Sequence, residues 1–221
     1  HGSGDDENGL LDIGRALAPS CGGALILSLR GPRPRGPFGY CWFEGSSASP
    51  APDAEASIAS AADGVLHLLQ NAPAVLNSDP ERVYLFGHSQ GASVSWAVSS
   101  FEWPRPNLLR GIACNSGRLF PGLTQPSTDL GQRVAPTAAL AERHVLSAHG
   151  VEDMITPVQI GRQNGAFCQT LGLPNTYHEH DEGHNDLQQP LAHVLKHFEA
   201  SSSSVRVVPS ACNEGDLRPD A

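Results

Sequence analysis

The most chemically suggestive stretch of the chain is Gly87-His88-Ser89-Gln90-Gly91, which follows the apolar run RVYLF and precedes small, helix-compatible residues. In a G-x-S-x-G pattern the glycines permit a sharp strand-to-helix bend that projects the serine oxygen and leaves space for a substrate. The helix that follows points its positive end at that oxygen, favouring developing negative charge. A serine hydroxyl is a poor nucleophile until a base takes its proton, and the base needs an acid to orient it. On this type of turn the chain order is serine, then acid, then histidine. Two later segments satisfy that order: His149-Gly150-Val151-Glu152-Asp153 after HVLSA, and Asp181-Glu182-Gly183-His184 after TYHEH. The candidate acid is Asp153, with Glu152 pointing away, and the candidate base is His184. His88 is too close to Ser89 along the chain to serve it, and His178 and His180 lie within a strand body. His149 and His193 are the remaining rivals for the base.

Acyl transfer also needs two donors aimed at the tetrahedral oxygen. The backbone N–H of Gln90 is the first by position. The opening His1-Gly2-Ser3-Gly4 is the natural source of the second, since its glycines let backbone approach a substrate closely.

These loops must be held by something. Apolar runs of strand length occur at residues 24–29 (ALILSL), 82–86 (RVYLF), 111–115 (GIACN), 144–148 (HVLSA) and 176–180 (TYHEH). Helical spacing links Leu10, Leu11, Ile13, Ala16 and Leu17, then Ile58, Ala62, Val65, Leu66 and Leu69, a helix closed by Asn71 and Pro73. Further helices are expected over 92–99, 157–171 (proline in the first turn) and 185–198. Alternation of strand and helix predicts an α/β fold: a mostly parallel sheet, helices on both faces, chemistry at the carboxyl ends of the strands. No large cap domain fits the length, so the site should be open to small or soluble esters. Residues 1–199 would form the domain. Residues 200–221, with a serine run at 201–204, read as a flexible tail or a surface strap.

The 221 residues carry 14 Lys+Arg against 23 Asp+Glu, a net charge of −9, which argues against a nucleic-acid partner. No apolar run approaches the ~18 residues of a membrane span. Cys21, Cys41, Cys114, Cys168 and Cys212 lack any CxxC spacing, so they read as small buried hydrophobes of a cytoplasmic protein. A Cys21–Cys41 disulfide is the exception to watch if the protein is exported. The chain opens without Met and without an apolar strand, so a piece is expected to be missing from its front.

Taken in order, HGSGDDENGLLDIGRALAP, LSLRGP, YCWFE, GHSQG, NSGRLFP, HGVED and DEGHND resemble the phospholipase/carboxylesterase branch of the α/β-hydrolases, which includes the acyl-protein thioesterase-like esterases. The resemblance covers about residues 1–199. It implies a cofactor-free serine hydrolase of carboxylic esters or thioesters, with Ser89, Asp153 and His184 as triad and Ser3 beside Gln90 at the oxyanion. The family pattern also places a strand immediately before the HG motif, and none is present here. Asp5, Asp6 and Glu7 then read as loop and helix-capping acids. Phe38, Tyr40, Trp42 and Phe43, faced by Trp103 and Phe120, are candidate walls of an acyl or aryl pocket. Two alternatives stand: a binding protein that keeps the fold without turnover, and a metal hydrolase built on His178, His180, His184, Asp181 and Asp186.

Overall fold

The computed structural model describes residues 1–105 and 107–203. The elements run α1 (Leu11–Leu17), β1 (Arg33–Pro34), β2 (Tyr40–Cys41), α2 (Ala54–Leu76), β3 (Tyr84–His88), α3 (Gln90–Ser100), β4 (Gly111–Asn115), α4 (Thr137–Ala141), β5 (Val145–Gly150), α5 (Val158–Leu171), β6 (Asn175–His180) and α6 (Gln188–Ser203). Strands β3, β4, β5 and β6 form a parallel sheet in sequence order, each crossover carrying a helix, as parallel neighbours require. This is the α/β-hydrolase fold, and no cap domain is present among the described residues. None of the described helices is long and apolar enough to cross a membrane.

The sheet centre is buried on both faces. All of β4 and β5 is buried, and so is every residue of α3. Helix α3 packs tightly because it is made largely of Gly, Ala and Ser. Its hydroxyls turn back on carbonyls of the preceding turn, Ser95 on Gly91 at 2.9 Å and Ser99 on Trp96 at 2.7 Å, so none is stranded in the core. Trp96, Ile58, Leu108, Ile112, Leu119, Leu130 and Leu140 fill the space around it.

Two expectations are corrected here. Residues 24–29 form no strand: Leu25 and Leu27 are 61% and 48% exposed, and the segment stands off from β3. A cavity of about 660 Å³, lined by Leu17, Leu27, Leu69, Tyr84, Phe86 and Val94 among others, separates the two. Without a neighbour in ladder distance an apolar run has no means of satisfying strand backbone. Helix α2 in turn runs through Asn71 and Pro73 to Leu76, with Pro73 buried inside it. It ends instead at Asn77, whose left-handed backbone (φ 52°) lets the Asn77 and Ser78 amides close on the Pro73 carbonyl. Helix α6 continues to Ser203, while the tail reading for residues 204–221 lies outside the described residues. Cys21, Cys41, Cys114 and Cys168 are all free and buried, so the Cys21–Cys41 pairing is not made; Cys212 lies outside the described residues.

Candidate active site

Ser89 sits between β3 and α3 with φ 54° and ψ −118°, a conformation that non-glycine residues adopt only under constraint. The constraint is visible in its neighbours. A Cβ on Gly87 would stand 2.4 Å from Ser95 Oγ and 2.5 Å from the Gly91 carbonyl, so only glycine lets strand and helix close so tightly. A Cβ on Gly91 would stand 2.9 Å from the backbone N and O of His1. The second glycine therefore admits the opening segment, whose His1 carbonyl accepts the Gly91 amide at 3.1 Å and the Trp42 indole N–H at 2.9 Å.

The candidate acid and base arrive on adjacent loops. The loop after β5 carries Asp153 and the loop after β6 carries His184, and the two interlock through Val151 N–H on the His180 carbonyl at 2.8 Å. A Cβ on Gly150 would meet the Glu182 carbonyl at 2.0 Å, so glycine is required where the loops cross. Ser89 Oγ lies 2.9 Å from His184 Nε2, and His184 Nδ1 lies 2.6 Å from Asp153 Oδ2. Asp153 Oδ1 accepts the amides of Ile155 and Thr156 at 2.9 and 2.7 Å. Burial pushes the Asp153 carboxyl up, but hydrogen bonds from His149, His184 and Thr156 outweigh it and hold the group below the ordinary carboxylate range. Asp153 is thus a fixed acceptor. With Oδ2 accepting from Nδ1, the Nε2 of His184 is left free to take a proton from Ser89.

His88 packs against the base, ring centroids 5.0 Å apart, and its Nδ1 lies 3.2 Å from the Asn115 amide nitrogen. Burial, then the neighbouring His184, pushes His88 down to about 3, so it stays neutral beside the base.

The opening segment reaches the nucleophile at Gly2, where a Cβ would stand 3.2 Å from Ser89 Cβ and 3.7 Å from its Oγ. Next to it, Ser3 Oγ accepts from Arg35 at 2.7 Å, and the Gly4 amide donates to the Tyr40 carbonyl at 2.8 Å. Gln90 uses its side chain as a clamp. Oε1 accepts the Trp42 amide at 2.9 Å, and Nε2 donates to the Phe43 and Gly45 carbonyls at 2.9 and 3.1 Å. Sequence reasoning assigned only the backbone of Gln90; the missed role had a signal in the uncharged amide beside the nucleophile, which can donate and accept at once.

The six aromatic residues do not form one wall. Phe38 is exposed at 69%, and Tyr40 lies half-buried under the Arg30 guanidinium, 4.6 Å from its ring centroid. Trp42 is buried on His1. Phe43 and Phe120 meet edge to face at 5.5 Å inside the core. Trp103 is stacked under Arg143 at 3.8 Å, beside a cavity lined by Glu102, His144 and His197. Their apolar surface goes to the core first, which composition alone does not reveal.

The acids after the HG motif tie loops together rather than cap α1, which has no side-chain cap. Asp6 accepts the Asn8 amide at 2.8 Å, and Glu7 forms an ion pair with Arg30. The histidine cluster is also dispersed. His178 stacks on His193 at 4.0 Å, His184 is engaged by Asp153, and among the described residues no three His, Cys, Asp or Glu side chains are arranged to hold a metal ion.

The family described as Phospholipase/Carboxylesterase matches residues 1–202. The chain belongs to that family. Solved structures agree on the fold. SOBER1 from Arabidopsis thaliana superposes with a TM-score of 0.74 at 21% identity, over 91% of this chain and 95% of that one. A Bacillus cereus carboxylesterase gives 0.70 at 18% identity, over 91% and 85%. Zea mays acyl-protein thioesterase 2 gives 0.63 at 20% identity, over 91% of each chain. No curated protein matches the chain significantly. Family membership makes this chain a hydrolase of the phospholipase/carboxylesterase type.

Proposed function

We propose that this family member is a serine carboxylesterase that hydrolyses small or soluble carboxylic esters, thioesters included, through an acyl-serine intermediate. The observation that carries the reading is the unbroken chain Ser89 Oγ, His184 Nε2, His184 Nδ1, Asp153 Oδ2, with its two links at 2.9 and 2.6 Å.

As Ser89 attacks the acyl carbonyl, His184 Nε2 takes its proton, and the charge of Asp153 stabilises the imidazolium. The amides of Gln90 and Ser3 would hold the oxyanion, with the start of α3 adding its positive end. His184 then returns the proton to the leaving oxygen or sulfur, and the alcohol or thiol departs. Water enters, gives its proton to His184 and attacks the acyl-serine. Collapse releases the carboxylic acid and restores the Ser89 hydroxyl. No electron transfer is involved, so the sequence needs no cofactor.

Beside Asp153 the loop leaves Met154 at 90% and Ile155 at 57% exposure, apolar surface next to the proposed acid. Turnover of p-nitrophenyl acetate and butyrate by wild type and Ser89→Ala tests the proposal. Loss of turnover in a folded Ser89→Ala preparation is the expected result, and undiminished turnover would overturn it.

A further inference from the structure

His149 belongs neither to the reacting chain of hydrogen bonds nor to the apolar core, yet it is 1% exposed and lies near the end of β5, just before the loop that carries the acid. Its Nε2 lies 2.7 Å from the Thr156 carbonyl, an atom that only accepts, so Nε2 carries a proton. The same N–H edge faces Asp153 Oδ2 across 3.5 Å. Thr156 in turn gives its amide to Asp153 Oδ1 at 2.7 Å. The three residues thereby close a ring: Asp153 to the Thr156 amide, the Thr156 carbonyl to His149, and His149 back to Asp153. A carboxylate held by one backbone turn can still rotate about its side-chain bonds. Closing the ring through an imidazole fixes the plane of the carboxylate and so aims Oδ2 at His184 Nδ1.

Helix α5 is shaped around this ring. A Cβ on Gly161 would stand 2.7 Å from His149 Nδ1 and 2.7 Å from the Tyr177 hydroxyl. Glycine inside a helix costs about 1 kcal/mol relative to alanine. Gly161 falls in the first turn of α5, and the room the imidazole needs accounts for it.

We propose that His149 is a positioning residue for the acid of the triad, acting through Thr156 and Asp153 and never touching substrate. The proposal rests on the serine-hydrolase reading and adds a member to its machinery. The titratable groups facing His149 are Asp153 on the loop after β5, Tyr177, Glu179 and His180 on β6, and His88 on β3. Misplacing a catalytic group by about 1 Å can cost about 10²-fold in rate.

The test compares wild type, His149→Phe, His149→Gln and His149→Asn on p-nitrophenyl butyrate. Phenylalanine keeps the ring volume without the donor, glutamine places an amide N–H near the position of Nε2, and asparagine falls a carbon short. The expected result is a kcat for His149→Phe lower by about 10- to 100-fold with KM little changed. The acid limb of its kcat/KM profile should move to lower pH, because a misaligned carboxylate stabilises the imidazolium less. His149→Gln should recover most of kcat and the original profile, and His149→Asn should not. Equal kcat in the glutamine and asparagine variants overturns the proposal, and so does a His149→Phe enzyme with wild-type kcat and profile. If His149→Phe does not fold, the glutamine and asparagine pair decides. Failure of the parent reading is seen separately, as wild-type enzyme whose Ser89 resists a fluorophosphonate probe.

Discussion

Gln90 holds the Trp42 backbone amide on its side-chain oxygen at 2.9 Å, so the residue after the nucleophile is also the anchor of the loop beyond β2. The side chain is 1% exposed and makes three hydrogen bonds to main chain, at Trp42, Phe43 and Gly45. Truncation leaves those groups without partners in a dry environment, at about 1–3 kcal/mol for each group stranded. Gln90→Ala should therefore lower stability by about 3 kcal/mol, read from urea denaturation. Gln90→Glu should be at least as damaging, because a carboxylate cannot donate to the two carbonyls that Nε2 serves. A glutamate variant as stable as wild type would show that the clamp contributes nothing.

The proposed triad makes a graded prediction. Asp153 touches only His184 among the reacting groups, so Asp153→Asn keeps the shape and loses the charge and the orientation of the imidazole. Its kcat should fall by about 10⁴-fold. Ser89→Ala and His184→Ala should fall further, to about 10⁶-fold below wild type. Removing two members together should cost no more than the worse single change, because the three act as one unit. Additive losses in the double variants, measured with p-nitrophenyl butyrate, would contradict that coupling.

How much of this was legible beforehand depended on how local each determinant is. That Ser89, Asp153 and His184 meet could be read beforehand, because each follows a strand end and chain order restricts the partners of a serine elbow. Strand β4 was read to the residue because GIACN is apolar on both faces and bounded on both sides. Residues 24–29 carry the same local signal and are no strand, since strand formation requires a neighbour that local pattern cannot supply. Pro73 was read as a stop because proline lacks a donor. Its carbonyl, however, is available to cap a turn later, and Asn77 uses it. The aromatic residues were hard to place for a related reason: an aromatic residue announces burial, while the partner it packs against, Phe43 for Phe120 and Arg143 for Trp103, is set by tertiary structure. The clamp of Gln90 and the ring around His149 depend on contacts 7 to 48 residues away or on three-way closure, which spacing does not encode.

Gly2 is the narrowest point of the opening segment. An added Cβ would lie 3.2 Å from Ser89 Cβ and 3.7 Å from the nucleophilic oxygen, closer than nearly all real side-chain contacts for the first of these. Ser89 has little freedom to yield, being held in a strained turn by Gly87 and α3. Gly2→Ala should thus displace the Gly2–Ser3 backbone, weakening a donor proposed for the oxyanion. Loss of one such donor typically costs about 10²–10³ in kcat. The prediction is a fall in that range with labelling of Ser89 by a fluorophosphonate retained but slowed. A Gly2→Ala enzyme with unchanged kcat would remove this segment from the oxyanion site.

Two buried imidazoles link stability to pH. Burial, then His184, depresses His88 to about 3; burial, then His144, depresses His197 to about 4. An unfolded histidine titrates near ~6.5. Between those folded values and about pH 6.5 the unfolded chain binds more protons than the native one, so stability must rise with pH there. The contribution is complete above about pH 6.5 and is lost as pH falls toward the folded values, with a ceiling of ~1.4 kcal/mol per pH unit for each group. His197, at the edge of solvent on α6, should fall short of that ceiling, while His88 beneath the base should approach it. His197 is the cleaner test because it lies away from the triad, and its buried Nε2 has no partner among the described residues. His197→Gln should leave hydrolysis intact and flatten the decline in urea midpoint between neutral pH and about pH 4.5. An identical decline in variant and wild type would show that His197 titrates normally in the folded protein and contributes nothing to the acid sensitivity.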